Sequence, residues 1–269
     1  MIHIPIIRHG APYQSLDTRA VFQPETGEKL ATMSLANPGL IRLDSKNDSQ
    51  AAHHFRGLST RNVISMLQEA GERFVTDDLE IGPGGPAAGF DDYIEQLSST
   101  TGLPLQTCRS HAQRLRSALI NISATTEALS YGRAPAELDE YFQDHAANLG
   151  NSVAVVLPSN APGVNGLWLP LLAYRTPLAL KPGHADPWTP LRLIAACIQA
   201  GMPSEIFSFY PSDHAGGRAL LTSKDAGMIF GSDETTSPYE NNPRIQRNGA
   251  GYSKVIFGAD TSPGTRKQG

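Results

Sequence analysis

The fold is decided by residues 153–162, Val153-Ala-Val-Val-Leu-Pro-Ser-Asn-Ala-Pro162. A continuous apolar run rich in valine, stopped by a proline-bounded polar turn, suits a strand buried on both faces. The same grammar repeats downstream. Leu178-Ala-Leu-Lys181 reads as a second strand, Ile206–Tyr210 as a third, Met228–Phe230 as a fourth and Lys254–Phe257 as a fifth. Between them Leu167–Tyr174, Thr189–Ala200 and Gly216–Leu221 read as helices. Strand and helix alternating at this spacing predict right-handed βαβ units, an α/β fold and a parallel sheet.

In such sheets ligands bind beyond the carboxyl ends of the strands. Those positions hold Pro158-Ser159-Asn160, Lys181-Pro-Gly-His184, Pro211-Ser-Asp-His214 and Gly231-Ser232-Asp233. Taken singly, each has a plain structural reading: a cap, a solvated amine, a turn. Together they make a polar rim with an amide, a cation and a small-residue turn opening a helix. Gly231-Ser232 is expected to present free backbone N–H groups and a hydroxyl to a phosphate, and Lys181 to hold a ribose hydroxyl or a second phosphate. The Gly-x-Gly-x-x-Gly fingerprint of common dinucleotide folds is absent.

Upstream the pattern differs. Short strands are expected at Ile2–Ile7, Ala20–Phe22 and Ala31–Ser34, then helices at Ser49–Phe74, Phe90–Ser98 and Leu105–Thr125. Residues 131–150 read as an exposed connection of low apolar content. The expected organisation is a mostly helical N-terminal region, 1–150, packing on a nucleotide-binding region, 151–269.

Four segments in this order and spacing resemble the aldehyde dehydrogenases: Val155–Pro162, Pro177-Leu-Ala-Leu-Lys-Pro-Gly183, Ala200-Gly-Met-Pro203 and Ile229-Phe-Gly-Ser232. That family carries a Pro-x-Asn-x-Pro turn, a strand ending in Lys-Pro, an Ala-Gly-apolar-Pro helix end and a Gly-Ser turn. The resemblance implies an NAD(P)-binding, Rossmann-like domain of an enzyme that oxidises aldehydes, or reduces activated acyl groups, through a cysteine thiohemiacetal. It implies that Asn160 stabilises the substrate oxyanion, that Lys181 meets the adenine ribose, and that Ser232 contacts the pyrophosphate. Leu157, Pro158, Ser159, His184 and Gly231 complete the expected cofactor contacts. Full-length relatives commonly form homo-oligomers.

Three departures qualify the resemblance. His184 stands where many NAD-preferring members carry Glu; a neutral imidazole spares a 2′-phosphate the repulsion of a carboxylate, so NADP is expected to be tolerated. The segment Gly249-Ala-Gly-Tyr-Ser-Lys254 has no carboxylate where relatives often carry the Glu that activates the deacylating water. Finally, the chain has two cysteines, Cys108 and Cys197, both in apolar helical surroundings that suit inert core residues. The catalytic domain with its cysteine is therefore expected to be missing, and the chain alone is expected to bind nucleotide without oxidising aldehydes.

Other classes compete. Ile6-Ile7-Arg8-His9-Gly10 is how histidine phosphatases begin, with Ser212–Gly216 as a loose second histidine segment. A non-catalytic nucleotide-binding remnant is a third reading. The 269 residues are 40% hydrophobic and 18% charged with net charge −4, giving no footprint for nucleic acid or an anionic membrane. No metal-ligand spacing appears, and without a leader pattern or an 18-residue apolar run a cytoplasmic protein is expected.

Overall fold

A computed structural model describes residues 2–144, 150–159, 161–249 and 251. The N-terminal segment expected as one strand is two, β1 (Ile2–Ile4) and β2 (Ile6–Arg8). Pro5 divides them because it lacks the N–H that a continuing ladder needs. A hairpin joins β2 to β3 (Ala11–Tyr13), and a second hairpin is formed by β4 (Thr18–Phe22) and β5 (Lys29–Ser34).

Helices follow: α1 (Pro38–Asp44), α2 (Asp48–Arg56) and α3 (Thr60–Thr76). The helix expected over Ser49–Phe74 is thus broken, since Ser59 caps α3 by accepting the Asn62 N–H at 3.2 Å. A two-stranded ribbon, β6 (Leu79–Glu80) and β7 (Ala87–Ala88), spans the Pro/Gly segment. Then come α4 (Phe90–Thr101), α5 (Leu105–Ile120) and α6 (Ile122–Leu129), the last two separated at Asn121. The described part of 131–150 is not the plain connection expected. Pro135 opens helix α7 (Pro135–Asp144), whose Leu138 is 2% exposed.

The next elements alternate as the sequence predicts: β8 (Val153–Val156), α8 (Leu169–Ala173), β9 (Leu178–Lys181), α9 (Trp188–Gln199), β10 (Phe207–Phe209), α10 (His214–Ser223) and β11 (Ala226–Phe230); α11 (Asp233–Thr236) and an unpredicted strand, β12 (Ile245–Asn248), follow. The main sheet has seven strands in the order β12-β11-β8-β9-β10-β2-β3. The first five are mutually parallel, while β2 and β3 add antiparallel at one edge. The fifth parallel strand is Ile245–Asn248; the run Lys254–Phe257 lies outside the described residues. The fold is a mixed α/β, Rossmann-like sheet flanked by helices.

Strand alternation builds a core on each face. Val155 and Leu180 face a cluster shared with Phe55, Val63, Leu115 and Ile194 from the helices. Ala154, Val156 and Ala179 face the opposite cluster with Ile41 and Leu220. Burial on both sides is why these strands read as unbroken apolar runs. Among the described residues no helix is long and apolar enough to cross a membrane.

Candidate functional site

A cleft of about 750 Å³ opens at the carboxyl ends of β8, β9 and β11, walled by α10 and α11. Leu157, Pro158, Ser159, Lys181, His184 and Gly231 all line it. The structure therefore gathers six of the eight residues singled out from sequence. Ser232 is next to the cleft but exposed, and Asn160 lies outside the described residues.

The loops after β8 and β9 are fastened to each other. Leu157 N–H donates to the Lys181 carbonyl at 2.9 Å, and His184 N–H donates to Ser159 Oγ at 2.9 Å. Gly183 permits this approach, because a Cβ there would stand 2.3 Å from the Pro158 carbonyl oxygen. Lys181 runs beneath the cleft with its stem across Gly217, where a Cβ would come within 3.1 Å of Lys181 Cδ. The lysine is only 8% exposed. Burial, then the charge of Arg19, draws its pKa down to about 8 against the opposing pull of Asp213. The Lys181 amine makes no hydrogen bond or ion pair among the described residues.

His184 stands at the mouth. Partial burial, then the cations Lys181 and Arg19, draw its pKa down to about 4, so the ring is neutral at pH 7. Arg19 Nη1 lies 2.8 Å from both ring nitrogens, and the unprotonated one accepts its hydrogen bond. Asp213 caps α10 by accepting the Gly216 N–H at 2.8 Å, the contact that chiefly holds its carboxyl below the usual range.

The opposite wall corrects one expectation. Gly231 N–H is not free; it donates to the Asn248 carbonyl at 3.2 Å. Ser232 caps α11 without a side-chain bond to the backbone, its Oγ lying 3.2 Å from Thr235 Oγ1. The first turn of this four-residue helix carries Asp233 and Glu234, and Glu234 lines the cleft. Sequence reasoning missed Arg19, Gly217, Arg218 and Glu234. Only His214 carried a legible signal, since it follows a predicted strand end.

Arg8-His9-Gly10 is a two-residue hairpin turn. Arg8 pairs with Ala11, and His9 and Gly10 have φ of 45° and 81°, the positive values a tight hairpin requires. Its side chains are not idle surface: Arg8 Nε donates to Asp44 Oδ2 at 2.9 Å, and His9 contacts the Asp44 carbonyl at 3.1 Å. His9 N–H bonds Ser208 of β10 and Gly10 N–H bonds the Phe207 carbonyl at its start, whereas His214 lies past the end of that strand. The two histidines of the phosphatase reading sit at opposite ends of the sheet. Both cysteines are buried; burial pushes the Cys197 thiol up to about 12 and raises Cys108 as well.

A mostly parallel sheet with a polar crevice past its strand ends defines an open α/β fold with the crevice where such sheets hold their ligands. Solved structures that superpose on this chain include aldehyde dehydrogenases. The NAD-dependent aldehyde dehydrogenase from Sinorhizobium meliloti superposes with a TM-score of 0.72 at 14% identity, over 93% of this chain and 50% of that one. 3,6-Anhydro-L-galactose dehydrogenase in complex with NAP gives 0.71 at 14% identity over 93% and 52%. The NADP-dependent glyceraldehyde-3-phosphate dehydrogenase from Bacillus halodurans C-125, complexed with NADP, gives 0.70 at 12% over 92% and 52%. The likeness is one of fold, and the chain spans about half the length of these structures. No protein-family model matches the sequence.

Proposed function

We propose that the chain is the NAD(P)-binding part of an aldehyde dehydrogenase-type oxidoreductase, acting on a small aldehyde or activated acyl substrate. The observation that carries this reading is Lys181, a buried ammonium without a bonded partner among the described residues, facing a cleft framed by the residues the sequence singles out. An uncompensated buried cation is costly, and a ligand bearing phosphate or ribose oxygens compensates it. The cleft suits a dinucleotide in size and in its division of surfaces. Leu221, Pro238 and Tyr239 offer an apolar wall for a flat base, while Lys181, His214 and Arg218 supply donors.

In this reading Lys181 holds the ribose, Leu157, Pro158 and Ser159 form the floor, and Gly231 and Ser232 flank the pyrophosphate. Neutral His184 leaves room for NADP. The bound group supplies a hydride acceptor, and Asn160 is assigned the oxyanion contact. With both cysteines in the core, this chain is assigned binding and not turnover. Calorimetric titration with NAD and NADP tests the reading: saturable binding that Lys181→Ala weakens at least tenfold supports it. No heat from either nucleotide at millimolar concentration overturns it.

A further inference from the structure

We infer that Arg19, on the β4 hairpin strand, is a specificity-determining residue that grips a ribose 2′-phosphate beside Lys181 and makes the cleft selective for NADP over NAD. The inference rests on the dinucleotide reading of the cleft.

Arg19 comes from a part of the sequence remote from every nucleotide-associated segment, yet it reaches the β9 end of the sheet. Its Nη1 is anchored by the neutral His184 ring at 2.8 Å. A guanidinium carries five N–H donors in a planar fork. The His184 contact fixes that fork and leaves the other donors without a partner among the described residues. No carboxylate forms a salt bridge with Arg19 or Lys181 among those residues; Asp213 acts on both only at a distance, so two cations share one rim with no directly bonded counter-ion.

The acids nearby do not replace one. Asp213 is exposed and accepts a backbone N–H at the start of α10, and Glu234 stands on the far wall. His214 and Arg218 add further cationic or donor groups on α10. Position separates this anion site from the pyrophosphate turn. The order β11-β8-β9 puts Lys181 two strands away from Gly231, about 10 Å at the usual strand spacing. An anion at the β9 end is thus distinct from one at the β11 end. On a dinucleotide whose ribose meets Lys181, the distinct anion is the 2′-phosphate.

The test is calorimetric titration of the whole chain with NADP, NAD, 2′,5′-ADP and 5′-AMP. Arg19→Ala should weaken NADP and 2′,5′-ADP on the order of tenfold, the value of one charge-assisted contact, and leave NAD and 5′-AMP unchanged. Arg19→Gln, which keeps a donor for His184, guards against a folding defect and should show the same selective loss. Equal weakening of NAD and NADP would place Arg19 on the pyrophosphate and overturn the inference while sparing the cleft. An unchanged NADP-to-NAD ratio in both variants overturns it too. If neither dinucleotide binds the unaltered chain, the cleft reading fails and takes this inference with it.

Discussion

Lys181 concentrates the energetics of the cleft in one side chain. Its folded pKa lies near 8, below the ordinary 10.5, because burial disfavours the charge. Between those values the unfolded chain holds a proton that the folded chain has released, so stability rises with pH across that window. Below pH 8 both states are protonated and the full cost stands, about 3 kcal/mol by the usual conversion. Lys181→Met should therefore stabilise the ligand-free chain by about that much at pH 7, falling to about 1 kcal/mol at pH 9.5. Urea unfolding at the two pH values checks this; a pH-independent difference would refute it. Because an anionic ligand favours the charged amine, nucleotide affinity should fall as pH rises through 8. Gly183 is the other residue with no substitute. Gly183→Ala drives a Cβ into the Pro158–Ser159 backbone, and a loss of about 1–3 kcal/mol, measured by thermal unfolding, is expected.

At the scale of elements, legibility followed burial. Strands β8 to β11 announced themselves because both faces are covered and every position but Lys181 is apolar or small. The strand Ile245–Asn248 was invisible for the opposite reason: only Ile245 is buried, and Gln246 and Arg247 face solvent. The cleft residues after β8, β9 and β11 were legible from position alone, whereas Arg19 was not. It reaches His184 across 165 residues of sequence, and hairpin geometry rather than any motif brings it there. Helix α7 was hidden by its charges, one of which is structural. Asp139 Oδ1 accepts both the N–H and the hydroxyl of Thr60 at 2.8 and 2.6 Å, and pairs with buried Arg175 at 3.3 Å. Asp139→Ala removes a helix-start acceptor and a buried counter-charge together. It should cost about 2–4 kcal/mol, read as a fall in Tm of roughly 2–4 °C per kcal/mol.

At the scale of the whole molecule the two ends of the sheet have different duties. The carboxyl end carries the cleft, whose Lys181 and Arg19 form no salt bridge among the described residues. The amino end carries a satisfied polar network that joins the helices to the strands. Lys224, just before β11, donates to Asp48 of α2 at 2.6 Å, with side chains 1% and 9% exposed. Ser152, just before β8, donates to the same carboxylate at 2.6 Å. His9 approaches Asp48 at 3.7 Å from the hairpin turn, and Tyr210 donates to neighbouring Asp44 at 2.9 Å. A buried pair gains little over a well-packed apolar substitute, but removing one partner strands the other charge. Lys224→Met should thus destabilise the fold by about 3–5 kcal/mol, and Asp48→Asn added to it should recover part of that loss. Nucleotide affinity of the folded fraction should be unchanged in both variants, since the network touches none of the cleft residues. Urea unfolding combined with titration separates the two effects. A matching loss of affinity in Lys224→Met would mean that the amino end of the sheet shapes the cleft, against the division of duties argued from the topology.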